Sequence, residues 1–239
     1  MKIDDKGIIL QQSFMQENML LLKILSENHG ICSGIAKNIN TQKKYDFNVG
    51  NLVKFERFAR LENQLGVIKC YKIKSFQFAI LESKLSLYMF RNLSNLISAS
   101  FTDYEPCRAV FSGLEDFLQS IGKNSWLKYI KLEIEVLKHA GYGLVLNKCA
   151  VSNIENDLIY VSPKSGKAVS RDAAKGYEHL LLKLPNFISN SQEPKSSEEI
   201  VEGLNLTEYF FKRYIWPKKS NSAYQEQERV ILKKIALIL

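Results

Sequence analysis

The sequence predicts an α+β chain: a five-stranded closed β-barrel at the N-terminus, then a mostly helical C-terminal region carrying a small β-hairpin. Three observations predict it. Five short strand-like runs fall within the first 76 residues, and no proline occurs before Pro106. The hydrophobic period then lengthens from two residues to the helical value. Within the helical part, Ser162-Pro163-Lys164-Ser165-Gly166 separates two short apolar runs, a strong turn signal.

The strand-like runs occupy residues 7–14, 19–27, 30–39, 51–60 and 66–76. Period 2 is clearest in the third, where Ile31, Ile35 and Ile39 share one face with Ser33 and Lys37. Glu27-Asn28-His29-Gly30 joins the second run to the third, and Glu62-Asn63-Gln64 followed by Gly66 joins the fourth to the fifth. Helical spacing covers residues 82–100, 105–121 and 125–141, the last stopped by Gly141 and Gly143. The hairpin pairs 158–161 with 167–170. A helix is expected over 172–184, begun by Asp172 and ended before Pro185. Residues 189–199 form a polar loop that runs into a helix reaching Trp216-Pro217, and a last helix spans about 223–238. The domain boundary is expected at 78/79, with the hairpin insert at about 149–171.

The chain has 239 residues, 46% hydrophobic and 24% charged, which excludes a disordered or fibrous protein. No apolar stretch reaches the length of a membrane span. Met1-Lys2-Ile3-Asp4-Asp5 opens with two acids and no apolar core behind it, unlike a secretory signal. A cytoplasmic protein is expected.

The formal net charge is +8. Residues 1–80 carry twelve basic and seven acidic side chains, whereas 81–148 and 149–239 are nearly balanced. The excess points to an acidic partner, nucleic acid first among them. Lysine makes up 26 of the 33 basic residues, so an A/T-rich genome with lysines merely solvating the surface is the competing explanation.

Within the first third, the candidate DNA-binding residues are Lys37, Lys43, Lys44, Lys54, Arg57, Arg60, Lys69, Lys72 and Lys74. They interleave with Tyr45, Phe47, Phe55, Phe58, Tyr71, Phe76 and Phe78. A cationic groove with aromatic platforms is what single-stranded nucleic acid requires, since phosphates need charge and bases need faces to stack on. The same aromatics could instead fill the barrel core.

Catalytic candidates are poor. His29, His139 and His179 lie in three separate elements without metal-ligand spacing, and no nucleophile elbow or phosphate loop is present. Cys32, Cys70, Cys107 and Cys149 form no Cys-x-x-Cys pair and read as small buried thiols. No catalytic residue, metal or cofactor is expected.

Several segments, in order, resemble the RecO family of bacterial recombination mediators. They are Gly7-Ile8-Ile9-Leu10, Glu27-Asn28-His29-Gly30, Gly50-Asn51-Leu52-Val53, and Leu132-Glu133-Ile134 through Ala140-Gly141-Tyr142-Gly143-Leu144 to Cys149. The hairpin from Asp157 to Arg171 and Leu206-Thr207-Glu208-Tyr209-Phe210 complete the series. The resemblance implies that the barrel is an OB-fold and that the hairpin is a degenerate zinc ribbon. This sequence departs from the zinc-binding members: Cys149 is present, Ser152 stands at its partner position, and the second pair is replaced around Ser170 and Asp172.

The resemblance further implies a non-enzymatic DNA repair protein associated with the nucleoid. Such a protein binds single- and double-stranded DNA, anneals complementary strands, and works with RecR to load RecA onto strands coated by single-strand-binding protein. The acidic C-terminal tail of that coating protein is an implied partner, with Lys131, Leu132, Val136 and Leu137 as its expected site. The alternatives are an OB-fold adaptor that contacts only proteins, and a small enzyme with a scattered Cys/His site.

Overall fold

The computed structural model describes residues 2–16, 18–39, 44–61, 64–122, 125–218 and 222–238. The chain divides into two compact units, Met1–Gly122 and Lys123–Leu239. The first unit holds the barrel and the three helices that follow it.

Strands β1 (Lys2–Gln16), β2 (Met19–Ser26), β3 (Gly30–Lys37), β4 (Leu52–Phe58) and β5 (Gly66–Lys74) close into a barrel in the order β1-β2-β3-β5-β4. This is the OB-fold arrangement. The neighbours pair antiparallel except β3 and β5, which run parallel and share only two residue pairs, Gly34↔Gly66 and Ile35↔Val67. That seam is tight: a Cβ on Gly34 would lie 2.7 Å from the Gly66 carbonyl oxygen. Only glycine lets the two backbones meet there.

The barrel interior holds Ile3, Ile9, Leu20, Leu22, Ile24, Cys32, Ala36, Val53, Phe55 and Ile68. On β3 the inward residues are thus Cys32, Gly34 and Ala36, not the face of Ile31 and Ile35. Ile31 is buried nevertheless, in the region where Tyr104 donates its backbone N–H to the Ile31 carbonyl.

Asp5 ties β1 to the β2–β3 turn. Its carboxylate accepts hydrogen bonds from the Ser26 hydroxyl, from the backbone N–H and side-chain amide of Asn28 at 2.9 Å each, and from its neighbour Lys6 N–H at 2.8 Å. His29 Nδ1 lies 3.0 Å away. Burial works against the charge, but these hydrogen bonds outweigh it and hold the Asp5 carboxyl at about 2.

Helices α1 (Gln77–Leu81), α2 (Lys84–Ser100) and α3 (Arg108–Ser120) follow. Ser83 starts α2 by accepting from Ser86 N–H. Helices α2 and α3 pack on β1, and α3 also on β2, which buries Ile8, Leu10 and Leu25 on the outside of the barrel. Ser94 Oγ donates to the Leu10 carbonyl at 2.7 Å, and Lys6 Nζ pairs with Glu115 at 3.2 Å.

The second unit contains α4 (Trp126–Leu137), α7 (Ser197–Tyr214) and α8 (Ser222–Ala236) beside a small sheet. The sheet order is β6-β8-β7-β9, from Val145–Cys149, Lys167–Ser170, Leu158–Val161 and Leu182–Lys183. The hairpin of β7 and β8 lies where the turn signal places it. The helix expected over 172–184 does not form. Only α5 (Arg171–Ala174) is helical before Gly176 adopts φ +84°, and Leu182–Lys183 pairs with β7 as a strand. A further short helix, α6 (Asn186–Ser189), precedes the polar loop.

Arg229 of α8 is buried between α4 and α7. Its guanidinium lies 2.9 Å from one Glu133 oxygen and donates to the other at 3.0 Å and to Thr207 Oγ at 3.1 Å. Lys233 and Lys212 both pair with Glu208. No helix among the described residues is long and apolar enough to cross a membrane.

Candidate nucleic-acid interface

Cross-strand pairing carries one outward row around much of the barrel. Ser13 pairs with Leu21, Leu21 with Ile35, Ile35 with Val67, Val67 with Phe58, and Phe58 with Lys2. Paired residues point to the same face, so Leu21, Ile35, Val67 and Phe58 form a continuous apolar belt. Leu21 and Ile35 are half-buried, Val67 is exposed, and Phe58 is 66% exposed. Along the strands the belt is flanked by Lys23, Lys37 and Lys69, and Arg60 follows two residues after Phe58. Lys37, Arg60 and Lys69 are exposed and make no ion pair with any described residue.

The row beside it pairs Asp4, Glu56 and Lys69, and the next pairs Lys6, Lys54 and Tyr71. Lys54 Nζ lies 3.5 Å from Asp4. At the far end of β5, Lys72 pairs with Asp46 at 2.8 Å, and Lys74 sits 4.7 Å above the Phe76 ring. Asp46 is held in place by a 3-10 turn, Lys44–Phe47, whose Tyr45 and Asp46 carbonyls accept from the buried Asn51 amide.

The structure thus leaves Lys37, Lys54, Arg60, Lys69, Lys72 and Lys74 on the surface, with Lys72 at the end of the barrel in register with the inward Val53. Lys43 lies outside the described residues, and of Lys44 only the backbone is described. Arg57 is a correction. It is 1% exposed, at the end of the inward row of β4. Its Nε donates to the Ser33 carbonyl at 2.9 Å, its Nη2 to the Gln64 carbonyl at 2.6 Å, and the guanidinium lies 4.9 Å from the Tyr104 ring centroid. Arg57 bridges β3 to the segment entering β5, beside the two-residue seam. It has no surface to offer a phosphate.

The aromatics separate cleanly. Phe47, Phe55 and Phe76 are buried, whereas Tyr45, Phe58, Tyr71 and Phe78 are exposed. Leu21, Ile35 and Val67 were not legible as part of the site. Their signal was the cross-strand register, which needs the barrel closed.

The expected tail site does not assemble. Lys131 is exposed and donates to Ser191 Oγ at 2.9 Å, but Leu132, Val136 and Leu137 are buried. Helix α4 buries residues over most of its circumference, with α6 and α7 packed against it. The cysteines are all unpaired; Cys32, Cys107 and Cys149 are buried and Cys70 is half-buried. Burial pushes the Cys32 and Cys70 thiols up to about 12 and Cys107 to about 11.

The sheet of the second unit does not fit zinc. Cys149 Sγ accepts from the Ser170 N–H at 3.3 Å and lies 3.4 Å from the Ser170 hydroxyl. Burial opposes its charge, but hydrogen bonds from Ser152 and Ser170 prevail and bring the thiol down to about 6. Among the described residues no three His, Cys, Asp or Glu gather at metal-binding distance. Around the Cys149 sulfur the donors are Ser152 and Ser170, not further thiolates, so hydrogen bonds and not a tetrahedral ion join this part of the sheet.

A closed five-stranded barrel with a cation-flanked apolar belt, followed by a helical unit with a four-stranded sheet, defines an OB-fold protein. The model described as Recombination protein O N terminal matches residues 1–76, and that described as Recombination protein O C terminal matches residues 85–222. The chain is 36% identical over 236 residues to the DNA repair protein RecO of Rickettsia canadensis, covering 98% of this chain and 97% of that one. It is 39% identical over 223 residues to the DNA repair protein RecO of Orientia tsutsugamushi (strain Boryong), covering 92% of each. The chain belongs to the RecO family of DNA repair proteins.

Proposed function

We propose that this chain is a recombination mediator that binds single- and double-stranded DNA through the outer face of its barrel. The observation that carries the reading is the belt Leu21–Ile35–Val67–Phe58, flanked by Lys23, Lys37, Lys69 and Arg60. Lysines attract phosphate without sequence preference by releasing counterions. Phe58 and Tyr71 offer rings to unstacked bases. Annealing needs the same surface: two phosphate backbones repel, and a cationic face offsets the repulsion while bases find their partners. Cooperation with RecR, contact with single-strand-binding protein and loading of RecA are the family functions this surface would serve. None of them requires bond chemistry.

The test is binding to a labelled thirty-nucleotide single strand across a salt series, with and without its complement. The reading expects affinity to fall on the order of a hundredfold or more between about 50 and 200 mM salt. It also expects faster annealing, with Lys37→Glu and Lys69→Glu each weakening binding and flattening the salt slope by about one. Weak binding that ignores salt would leave the barrel a protein-binding adaptor.

A further inference from the structure

The second unit contains a polar cleft of about 680 Å³ between its small sheet and the short helix α6. Asn147 of β6, Asn156 before β7, and Asn186 and Asn190 at α6 all line it, together with Arg171. None of these four side-chain amides is hydrogen-bonded to another described residue. Arg171 is held at the wall by Asp157, with Nε at 3.3 and 3.2 Å from the two carboxylate oxygens, and its side chain is still 62% exposed. Leu158 and Ile159 supply apolar surface. Glu155 adds a second carboxylate, with no ion pair to any described residue.

This combination has a specific complement. A nucleobase is a disc with apolar faces and polar edges, so it suits a cleft with apolar wall and amide rim. Asparagine can donate and accept at once, and so reads an edge that carries both an amine and a ring nitrogen. A carboxylate accepts from an exocyclic amine and repels a carbonyl edge. A phosphate on the same nucleotide would meet the guanidinium of Arg171. The volume lies in the range that holds a ligand of nucleotide size.

The geometry points to this cleft as a second nucleic-acid site, which takes an unstacked, amine-bearing base of a single strand between Asn156, Asn186 and Glu155 with its phosphate on Arg171. The inference rests on the reading that the protein binds single strands, and adds base preference to a barrel that has none of its own.

The test compares thirty-nucleotide oligo(dC) with oligo(dT), since thymine lacks the exocyclic amine. The full chain should bind oligo(dC) about tenfold more tightly, the worth of one good edge contact. The Asn156→Ala/Asn186→Ala double variant should lose that preference. It should keep its oligo(dT) affinity and salt slope, because amides release no counterions. Arg171→Ala should reduce the salt slope by about one. All the substituted side chains are exposed, so thermal melting should match the parent chain. A preference that is absent in the parent chain, or that survives in the double variant, would overturn the cleft assignment, as a cleft built for peptides would. If oligo(dT) binds with a steep salt slope and oligo(dC) no tighter, the cleft alone fails. If neither strand binds, the barrel reading fails with it.

Discussion

Arg229 and Glu133 form an ion pair sealed from solvent, the guanidinium 2.9 Å from one carboxylate oxygen and 3.0 Å from the other. Residues 96 apart in sequence are joined here, so the pair fastens α8 to α4. Removing one partner leaves the other charge buried alone. Arg229→Met should therefore destabilise the second unit by about 3–5 kcal/mol, read from urea unfolding. Arg229→Met combined with Glu133→Leu should recover most of that loss, because the interior then holds no unpaired charge.

The Asp5 carboxyl gives the first unit an acid limit. Its folded value of about 2 is below the ordinary 3.8. Its contribution is complete above about 4 and disappears as the pH falls through about 2. The gap corresponds to about 2 kcal/mol. Asp5→Asn should lower stability at neutral pH and remove this part of the acid dependence. Thermal melting of both proteins over that pH window checks it.

Arg57 should behave as a structural residue and not as a phosphate contact. Arg57→Met removes hydrogen bonds to the Ser33 and Gln64 carbonyls. The expected cost is about 2–4 kcal/mol. At temperatures where the variant stays folded, the salt slope for DNA should match the parent chain, unlike Lys69→Glu.

Cys149 should be the one thiol that ionises near neutrality. Ultraviolet thiolate absorbance should rise with a midpoint near 6, and Cys149→Ser should lack that step. Cys32, Cys70 and Cys107, pushed up to about 11–12, should stay protonated throughout. The sign for stability follows. The folded value lies below the ordinary 9.0, so this group's contribution is complete above about 9 and is lost as pH falls through about 6.

Phe58 should distinguish strand types. Phe58→Ala should weaken single-strand binding by about 1–3 kcal/mol, the worth of one stacked base. Duplex binding should change little, because paired bases present no free face. Fluorescence anisotropy with both substrates reads the difference.

The barrel and the β7–β8 hairpin were legible because their signals are local: alternation, Glu27-Asn28-His29-Gly30, and the turn at 162–166. What was missed depends on distant partners. Charge type marks Arg57 as surface, yet strand parity turns it inward to carbonyls of two other segments. Residues 172–184 have helical apolar spacing, but β9 gains a pairing edge on β7 that spacing cannot announce. Leu132, Val136 and Leu137 lie on a helix with polar positions between them, and sequence alone does not show how much of that helix its neighbours cover. The four asparagines of the cleft come from elements as far apart as 147 and 190. No motif links them before the chain folds.

The two-pair seam between β3 and β5 has a consequence for failure. If it opened, the ring would become an open sheet with β3 and β5 as unsatisfied edges, and bare edges recruit strands from other molecules. Arg57 stands beside that seam with a hydrogen bond to each side. Its loss would lead toward self-association as well as melting, so the residue acts as a safeguard against aggregation.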